Sequence, residues 1–269
     1  MIAPIAWDFP LGYYILVGIG KPSARPAIGY LKDNYFNWGR MKLSPDLVEG
    51  RFIVRLNRFA AKMEVAGQEV MVHLANSGRL GELLLPNYRM LLKPVAGDHR
   101  KCPYDLALVD LGFTLCSADA RLPNPLLAEA IIAGRLAEFQ DYSQVRREVT
   151  YGDSRLDLLL EDSDPPCFVE TKSVTLVENR RALFPDAPTL RGVKHLNSLI
   201  RAKSEGYRAA VAFVIQRSDA KEFSPHDVAD PLLGETLRRA VYSGVEAFAY
   251  CCQVSEREIL LANRVPIVL

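Results

Sequence analysis

The sequence predicts a mixed α/β (α+β) fold in two parts: a small antiparallel β-barrel, then a larger domain in which helices alternate with strands. Three observations carry this. Between Gly50 and Ala118 lie several short runs rich in β-branched and aromatic residues, closely spaced and without a helical period. After Ala118 the pattern changes to stretches of helix formers separated by apolar, strand-like runs. One of these, RAAVAFVIQ (208–216), is almost continuously apolar, as expected of a strand covered on both faces.

Residues 1–40 stand apart. Both tryptophans, Trp7 and Trp38, lie there with Tyr13, Tyr14, Tyr30, Tyr35 and Phe36, among glycines and prolines and without a sustained period. Met41 opens a fresh segment, so residues 1–40 read as an extension dispensable for folding, the alternative being a genuine N-terminal arm that packs on the body. The barrel is assigned to residues 41–118. RFIVRLNRFAAKMEV (51–65) and QEVMVHL (68–74) form a hairpin with Gly67 in its turn. GELLLP (81–86), YRMLLKP (88–94), YDLALVDL (104–111) and FTLCSA (113–118) supply the remaining strands.

The second domain is assigned to residues 119–269. Asn124 is placed to cap a helix with Pro125 at its first position, and LLAEAIIAGRLAEF (126–139) continues it. Three strands follow: VRREVTY (145–151), RLDLLLE (155–161) and CFVETKSV (167–174). A second helix starts near Leu190, puts Val193, Leu196 and Ile200 on one side, and stops at Gly206. After strand 208–216, a helix from Pro231 to Ser243 has Asp230 as cap and Gly244 as stop. VEAFAYCC (245–252) and EILLA (258–262) close the chain.

A formal net charge of +1 gives no global basic signature, so any contact with nucleic acid must come from local patches. Cys102, Cys116, Cys167, Cys251 and Cys252 form no Cys-x-x-Cys pair and no zinc-type cluster, and they read as reduced, buried thiols. The apolar stretch Leu11–Ile19 holds two glycines, is too short for a bilayer and follows Asp8 rather than a basic residue. A cytoplasmic location and no membrane contact are therefore expected.

The chemistry concentrates in RLDLLLEDSDPPCFVETKS (155–173). Alternate strand residues share a face, so Glu170 and Lys172 point one way and Thr171 the other. If the two runs pair across the turn at 161–166, Asp157 comes beside Glu170. Neighbouring carboxylates raise each other's pKa unless a cation lies between them. Mg²⁺, or Mn²⁺, suits two carboxylates completed by water and phosphate oxygens. Lysine beside such an ion can orient the attacking water and offset charge on the transition state. In the metal-free protein, neutralising either acid is expected to leave stability equal or higher. Solvated charges at two strand ends are the plain alternative.

The placement of Asp157 and Glu170-x-Lys172 within a helix–three strands–helix–strand order resembles the PD-(D/E)xK nuclease superfamily, the restriction-endonuclease-like αβββαβ fold. That likeness adds Glu129, on the first helix, to the metal ligands. A longer likeness runs through HLANSGRLGELLLP, REVTYGDSRLDLLL, CFVETKSVTLVEN, FPDAPTLRGVKHL and GVEAFAY. These stretches, spread from about Met41 to the C-terminus, resemble the sugar fermentation stimulation protein A family. The resemblance implies an oligonucleotide-binding (OB)-like barrel followed by the nuclease-like domain, and a DNA-binding protein with a regulatory role in sugar metabolism. It also implies that Asp157, Glu170 and Lys172 occupy the catalytic positions.

On the barrel, Arg51, Arg55, Arg58 and Lys62 form a basic run with Phe52 and Phe59 among them, the residue types of a strand-gripping groove. Asn76, Ser77 and Gly78 read as a loop presenting N–H groups to phosphate, with Arg79 adding a contact. His73 reads as structural. Lys194 and His195 are placed to meet the metal site or the DNA backbone, and Asp186 reads as a turn residue. The expected partner is DNA, single- or double-stranded, bound with weak sequence specificity; a homodimer is left open. Two functions compete: a Mg²⁺-dependent nuclease, and a DNA-binding regulator that keeps the scaffold without turnover.

Overall fold

The computed structural model describes residues 40–97 and 100–269, all within one compact unit. The reading of residues 1–39 lies outside the described residues. Residue 40 belongs to a strand: β1 (Arg40–Lys42) lies at the edge of the large sheet, where Arg40 makes a two-pronged ion pair with Glu258.

The barrel consists of β2 (Val48–Asn57), β3 (Ala60–Val65), β4 (Gln68–His73), β5 (Arg89–Pro94) and β6 (Tyr104–Asp110), with β7 (Leu115–Ser117) appended to β6. Among the described residues the strands run in the order β4-β3-β2-β5-β6, and a parallel β4–β6 pairing closes the ring. This is the expected OB-like barrel. The β3–β4 hairpin turns on Ala66 (φ 51°) and Gly67 (φ 77°), a pair of left-handed residues of the kind a two-residue hairpin requires.

Two barrel expectations are corrected. The run 51–65 is two strands, because the chain reverses at Arg58–Phe59. GELLLP is a turn rather than a strand: Leu83 and Leu84 both donate their N–H to Leu80 O. Leu80, Leu83 and Leu84 are all buried beside Met63, Met90 and Leu92. A strand would turn alternate leucines to solvent, whereas a single helical turn buries these three together.

The second part is built on a sheet ordered β1-β16-β15-β13-β10-β9-β8 among the described residues. Its strands are β8 (Val145–Tyr151), β9 (Ser154–Leu160), β10 (Cys167–Val174), β13 (Arg208–Ile215), β15 (Glu246–Val254) and β16 (Glu258–Val265). β10, β13 and β15 are parallel. Helices α2 (Leu190–Ser204) and α3 (Pro231–Tyr242) cover one face, packing on Val211, Phe213 and Ile215. Helix α1 (Pro123–Ile132) covers the other, over Ala210, Ala212 and Val214. The double coverage explains the apolar run 208–216. Asp230 caps α3 as expected, accepting from Leu233 N at 3.1 Å and, with its other oxygen, from Thr189 N at 2.8 Å.

Helix α1 departs from expectation at both ends. It begins at Pro123 with no side-chain cap. Asn124 lies inside the first turn because its amide is drawn to Arg147 Nε (2.8 Å) and the Asp157 carbonyl (3.4 Å). The helix stops at Ile132, since Gly134 turns left-handed (φ 64°), and a separate 3₁₀ turn occupies Ala137–Phe139. A small sheet of β11 (Val177–Glu178), β12 (Arg181–Phe184) and β14 (Glu222–Pro225) was not expected.

Specific bonds seat the barrel on the large sheet. Asp186 accepts from Leu80 N at 2.9 Å, Thr175 donates to Glu82 at 2.9 Å, and Ser117 N donates to Gln216 O at 3.0 Å. Gly78 leaves room at this junction: a Cβ there would stand 2.5 Å from an Asp186 oxygen and push that carboxylate aside. The four buried thiols and the half-buried Cys102 are all free.

Candidate metal and nucleic-acid cleft

A cleft of ≈1000 Å³ opens where the barrel meets the large sheet. Arg58, Phe59, His73 and the loop around Asn76 line its barrel side, while Asp157 and the β10 segment from Glu170 onward line the other. The sheet is built to open here. The β9–β10 ladder runs from Cys167↔Leu160 to Val169↔Leu158 and stops one residue short of Glu170 and Asp157. On its other edge, the β8–β9 ladder skips Asp157 opposite Glu148, which adopts a left-handed φ of 57°. A non-glycine residue held there costs about 1 kcal/mol, a strain that clusters at functional sites.

Among the described residues each carboxylate has one oxygen engaged and one without a hydrogen-bond partner. Asp157 Oδ2 accepts from Thr171 N (2.7 Å) and Thr171 Oγ1 (2.6 Å), replacing the missing ladder bond. Glu170 is buried, and its Oε1 accepts from both Lys172 Nζ and His195 Nδ1. Its Oε2 is buried without any partner among the described residues. Burial raises the Asp157 carboxyl above the usual range, and the Glu170 charge raises it further, against Lys172 and Thr171. Burial also pushes Glu170 upward, but Lys172 and His195 outweigh it and hold that carboxyl low.

An orphaned carboxylate oxygen beside a second carboxylate is costly unless a cation meets it. The donor set is hard oxygen, which suits Mg²⁺, Mn²⁺ or Ca²⁺ rather than a thiophilic metal. Among the described residues no three His, Cys, Asp or Glu side chains gather to hold a metal. The protein would thus supply two carboxylates and leave the other positions to water and phosphate. Glu129 does not line the cleft; it sits half-buried on α1, and burial raises its pKa while Arg147 opposes. The α1 residues at the site are Pro123 and Asn124.

The basic residues sort differently from the sequence reading. Arg55 is consumed internally: it donates to the carbonyls of Asn57 (3.0 Å), Arg58 (2.8 Å), Gly78 (2.7 Å) and Arg79. Lys62 pairs with Glu69 at 2.9 Å, and Lys194 bonds Asp153 at the β8–β9 turn. Asn76 pins its own loop, accepting from Gly78 N (2.9 Å) and donating to Ala118 O (3.2 Å). Of the loop N–H groups expected to face phosphate, that of Gly78 is thus spent, and just beyond them Leu80 N is taken by Asp186. Arg51 and Arg79 are exposed but outside the cleft, and Arg58 is the one member of the basic run that lines it. His195 is buried behind Glu170, with Arg191 Nε donating to its Nε2 at 3.4 Å. Sequence reasoning missed Thr171, Arg147 and Arg191, whose importance comes from chain crossings rather than from local pattern.

Arg55→Ala is therefore expected to lower stability by about 2 kcal/mol, because charged hydrogen bonds to carbonyls are lost. The salt dependence of any DNA binding should stay unchanged. Thermal melts and a salt titration check both, and a lower salt slope without a stability loss would return Arg55 to the interface.

Residues 121–258 match the family described as the sugar fermentation stimulation protein RE domain, and residues 53–117 match its N-terminal OB domain. The chain belongs to the sugar fermentation stimulation protein family. A homolog from Caldanaerobacter subterraneus is 44% identical over 229 residues, covering 85% of this chain and 100% of the relative. One from Moorella thermoacetica is 45% identical over 232 residues, again covering 85% and 100%. Among solved structures, that of Pyrococcus furiosus SfsA in complex with Ca²⁺ is similar, with a TM-score of 0.79 and 31% identity; 85% of this chain and 98% of that one are covered. No helix among the described residues is long and apolar enough to cross a membrane.

Proposed function

We propose that this member of the sugar fermentation stimulation family binds DNA in the cleft and hydrolyses its phosphodiester bonds with a divalent metal held by Asp157 and Glu170. The observation that carries the reading is the pair of open carboxylate oxygens, Asp157 Oδ1 and the orphaned Glu170 Oε2, at the one place where both ladders of β9 part. The Ca²⁺ complex named for the Pyrococcus relative supports a hard divalent ion in this fold. When bound, the metal would polarise the phosphoryl oxygen and acidify a water. Lys172, its ammonium fixed by Glu170, orients the attacking water and offsets charge at phosphorus. Arg58, Arg147 and Arg191 line the cleft and supply donors for backbone phosphates, which gives binding with weak sequence specificity. Thr171 keeps the Asp157 carboxylate turned so that one oxygen stays open.

Incubation with single- and double-stranded DNA in Mg²⁺, Mn²⁺ or EDTA tests this. Metal-dependent cleavage supports it, and salt-sensitive binding without cleavage leaves the regulator reading standing. The metal response should also depend on pH. Asp157 has a raised pKa, so a metal must displace a proton there as pH falls. The Mg²⁺-induced rise in melting temperature should be full above that pKa and shrink as pH drops through it, as followed by a series of melts from neutral pH downward. A Mg²⁺ effect that stays constant down to acid unfolding would remove Asp157 from the site.

A further inference from the structure

We propose that the barrel seam carries a second phosphate site of the cleft: His73, braced by Asp105, acts with Arg58 and Arg121 on a backbone phosphodiester next along the strand that occupies Asp157 and Glu170. It rests on the reading that a nucleic-acid strand lies in the cleft. It locates the barrel's grip at the seam, away from the β2 face that the sequence pointed to.

The pairing that closes the barrel builds the site. In the parallel β4–β6 register, His73 lies directly opposite Asp105. Asp105 is only 6% exposed and is saturated by N–H donors. Its Oδ1 meets His73 Nδ1 at 3.2 Å and Arg100 at 2.7 Å, and its Oδ2 meets Arg121 at 3.2 Å. No carboxylate oxygen is left open, so a cation has nothing to bind here, in contrast to the Asp157–Glu170 pair. What remains for a ligand is donors. With Nδ1 committed to Asp105, His73 has only Nε2 left, and that atom has no partner among the described residues. With Nδ1–H given to Asp105, Nε2 donates to a phosphate when the ring carries its second proton. Arg121 is braced in the same way by Asp119 at 2.6 Å and lines the cleft beside His73.

Arg58 completes the group. It sits in the β2–β3 turn, which Leu74 N ties to the end of β4 by a 2.8 Å bond to Phe59 O. Its side chain is exposed, lines the cleft and has no partner among the described residues. Arg58, Arg100 and Arg121 outnumber Asp105 and Asp119 by one charge before His73 is counted. A positive group of pre-oriented nitrogen donors across a cleft from a metal-type carboxylate pair suits a polyanion that reaches both.

The test is fluorescence anisotropy of a labelled single-stranded oligonucleotide of mixed sequence, with Ca²⁺ present, across a salt series. The Arg58→Ala/His73→Gln protein should bind about tenfold more weakly, and its log K against log salt should be shallower by roughly 0.7 per phosphate contact removed. Arg58→Ala alone, which removes an exposed side chain without a partner, should lose about threefold and one such increment. Arg51→Ala/Arg79→Ala, two exposed cations outside the cleft, should bind like wild type. Arg58→Ala and the double variant binding like wild type, or the Arg51→Ala/Arg79→Ala control losing as much, would overturn the site while DNA binding itself stands. Wild-type protein that binds no DNA would overturn this site and the proposed function together.

Discussion

Replacing Glu170 by alanine is expected to destabilise the metal-free protein by about 3 kcal/mol, a fall of ~10 °C in melting temperature for a domain of this size. Sequence alone argues the opposite, because deleting one of two adjacent acids should relieve repulsion. The structure reverses that sign. Glu170 is the common acceptor of Lys172 and His195, whose side chains are only 11% and 6% exposed. Its removal strands a buried ammonium and a buried imidazole, and breaking a buried charge cluster by deleting one partner costs far more than the cluster itself contributes. Glu170→Gln keeps an acceptor and should recover part of the loss without restoring metal binding. A Glu170→Ala protein that melts like wild type would show that the cluster is solvated.

The second large effect concerns Lys172. Lys172→Ala leaves both open carboxylate oxygens in place, so the stabilisation by Mg²⁺ or Ca²⁺ should survive. Cleavage should fall by about 10²–10⁴-fold, the range expected when a group that positions a water and its proton is removed. Single-turnover cleavage of an oligonucleotide, read beside the metal-dependent melt, separates the two roles. Loss of the metal response together with cleavage would make Lys172 part of the binding site instead.

The extent to which all this was legible follows from how local each signal is. The later barrel strands, the three strands around Asp157 and Glu170, and the Asp230-capped helix depend on period and capping within a few residues, and they stand where the sequence puts them. Glu170 and Lys172 share a face for the same reason, as their mutual bond shows. Failures occur where a residue's partner is remote in the chain. Asn124 reads as a cap until Arg147 and Asp157 compete for its amide. Arg55 reads as a DNA contact until four carbonyls from two loops surround it. GELLLP reads as a strand until its adjacent Leu83 and Leu84 are both needed in the barrel core with Leu80. His73 reads as structural because its Asp105 partner is 32 residues away, supplied only by barrel closure.

The central claim is that Asp157 and Glu170 hold a divalent metal, and thermal melts of wild type and Asp157→Asn with and without Mg²⁺ or Ca²⁺, free of DNA, test it most directly. The amide oxygen introduced by Asp157→Asn can still accept from Thr171, and neutralising a buried acid with a raised pKa should leave the metal-free protein as stable as wild type or more so. Wild type should gain about 2.7 kcal/mol at a hundredfold excess of metal over its Kd, and Asp157→Asn should gain almost nothing. A wild type indifferent to Mg²⁺, Mn²⁺ and Ca²⁺, even with DNA present, would contradict the account and leave two mid-strand acids that merely neighbour each other.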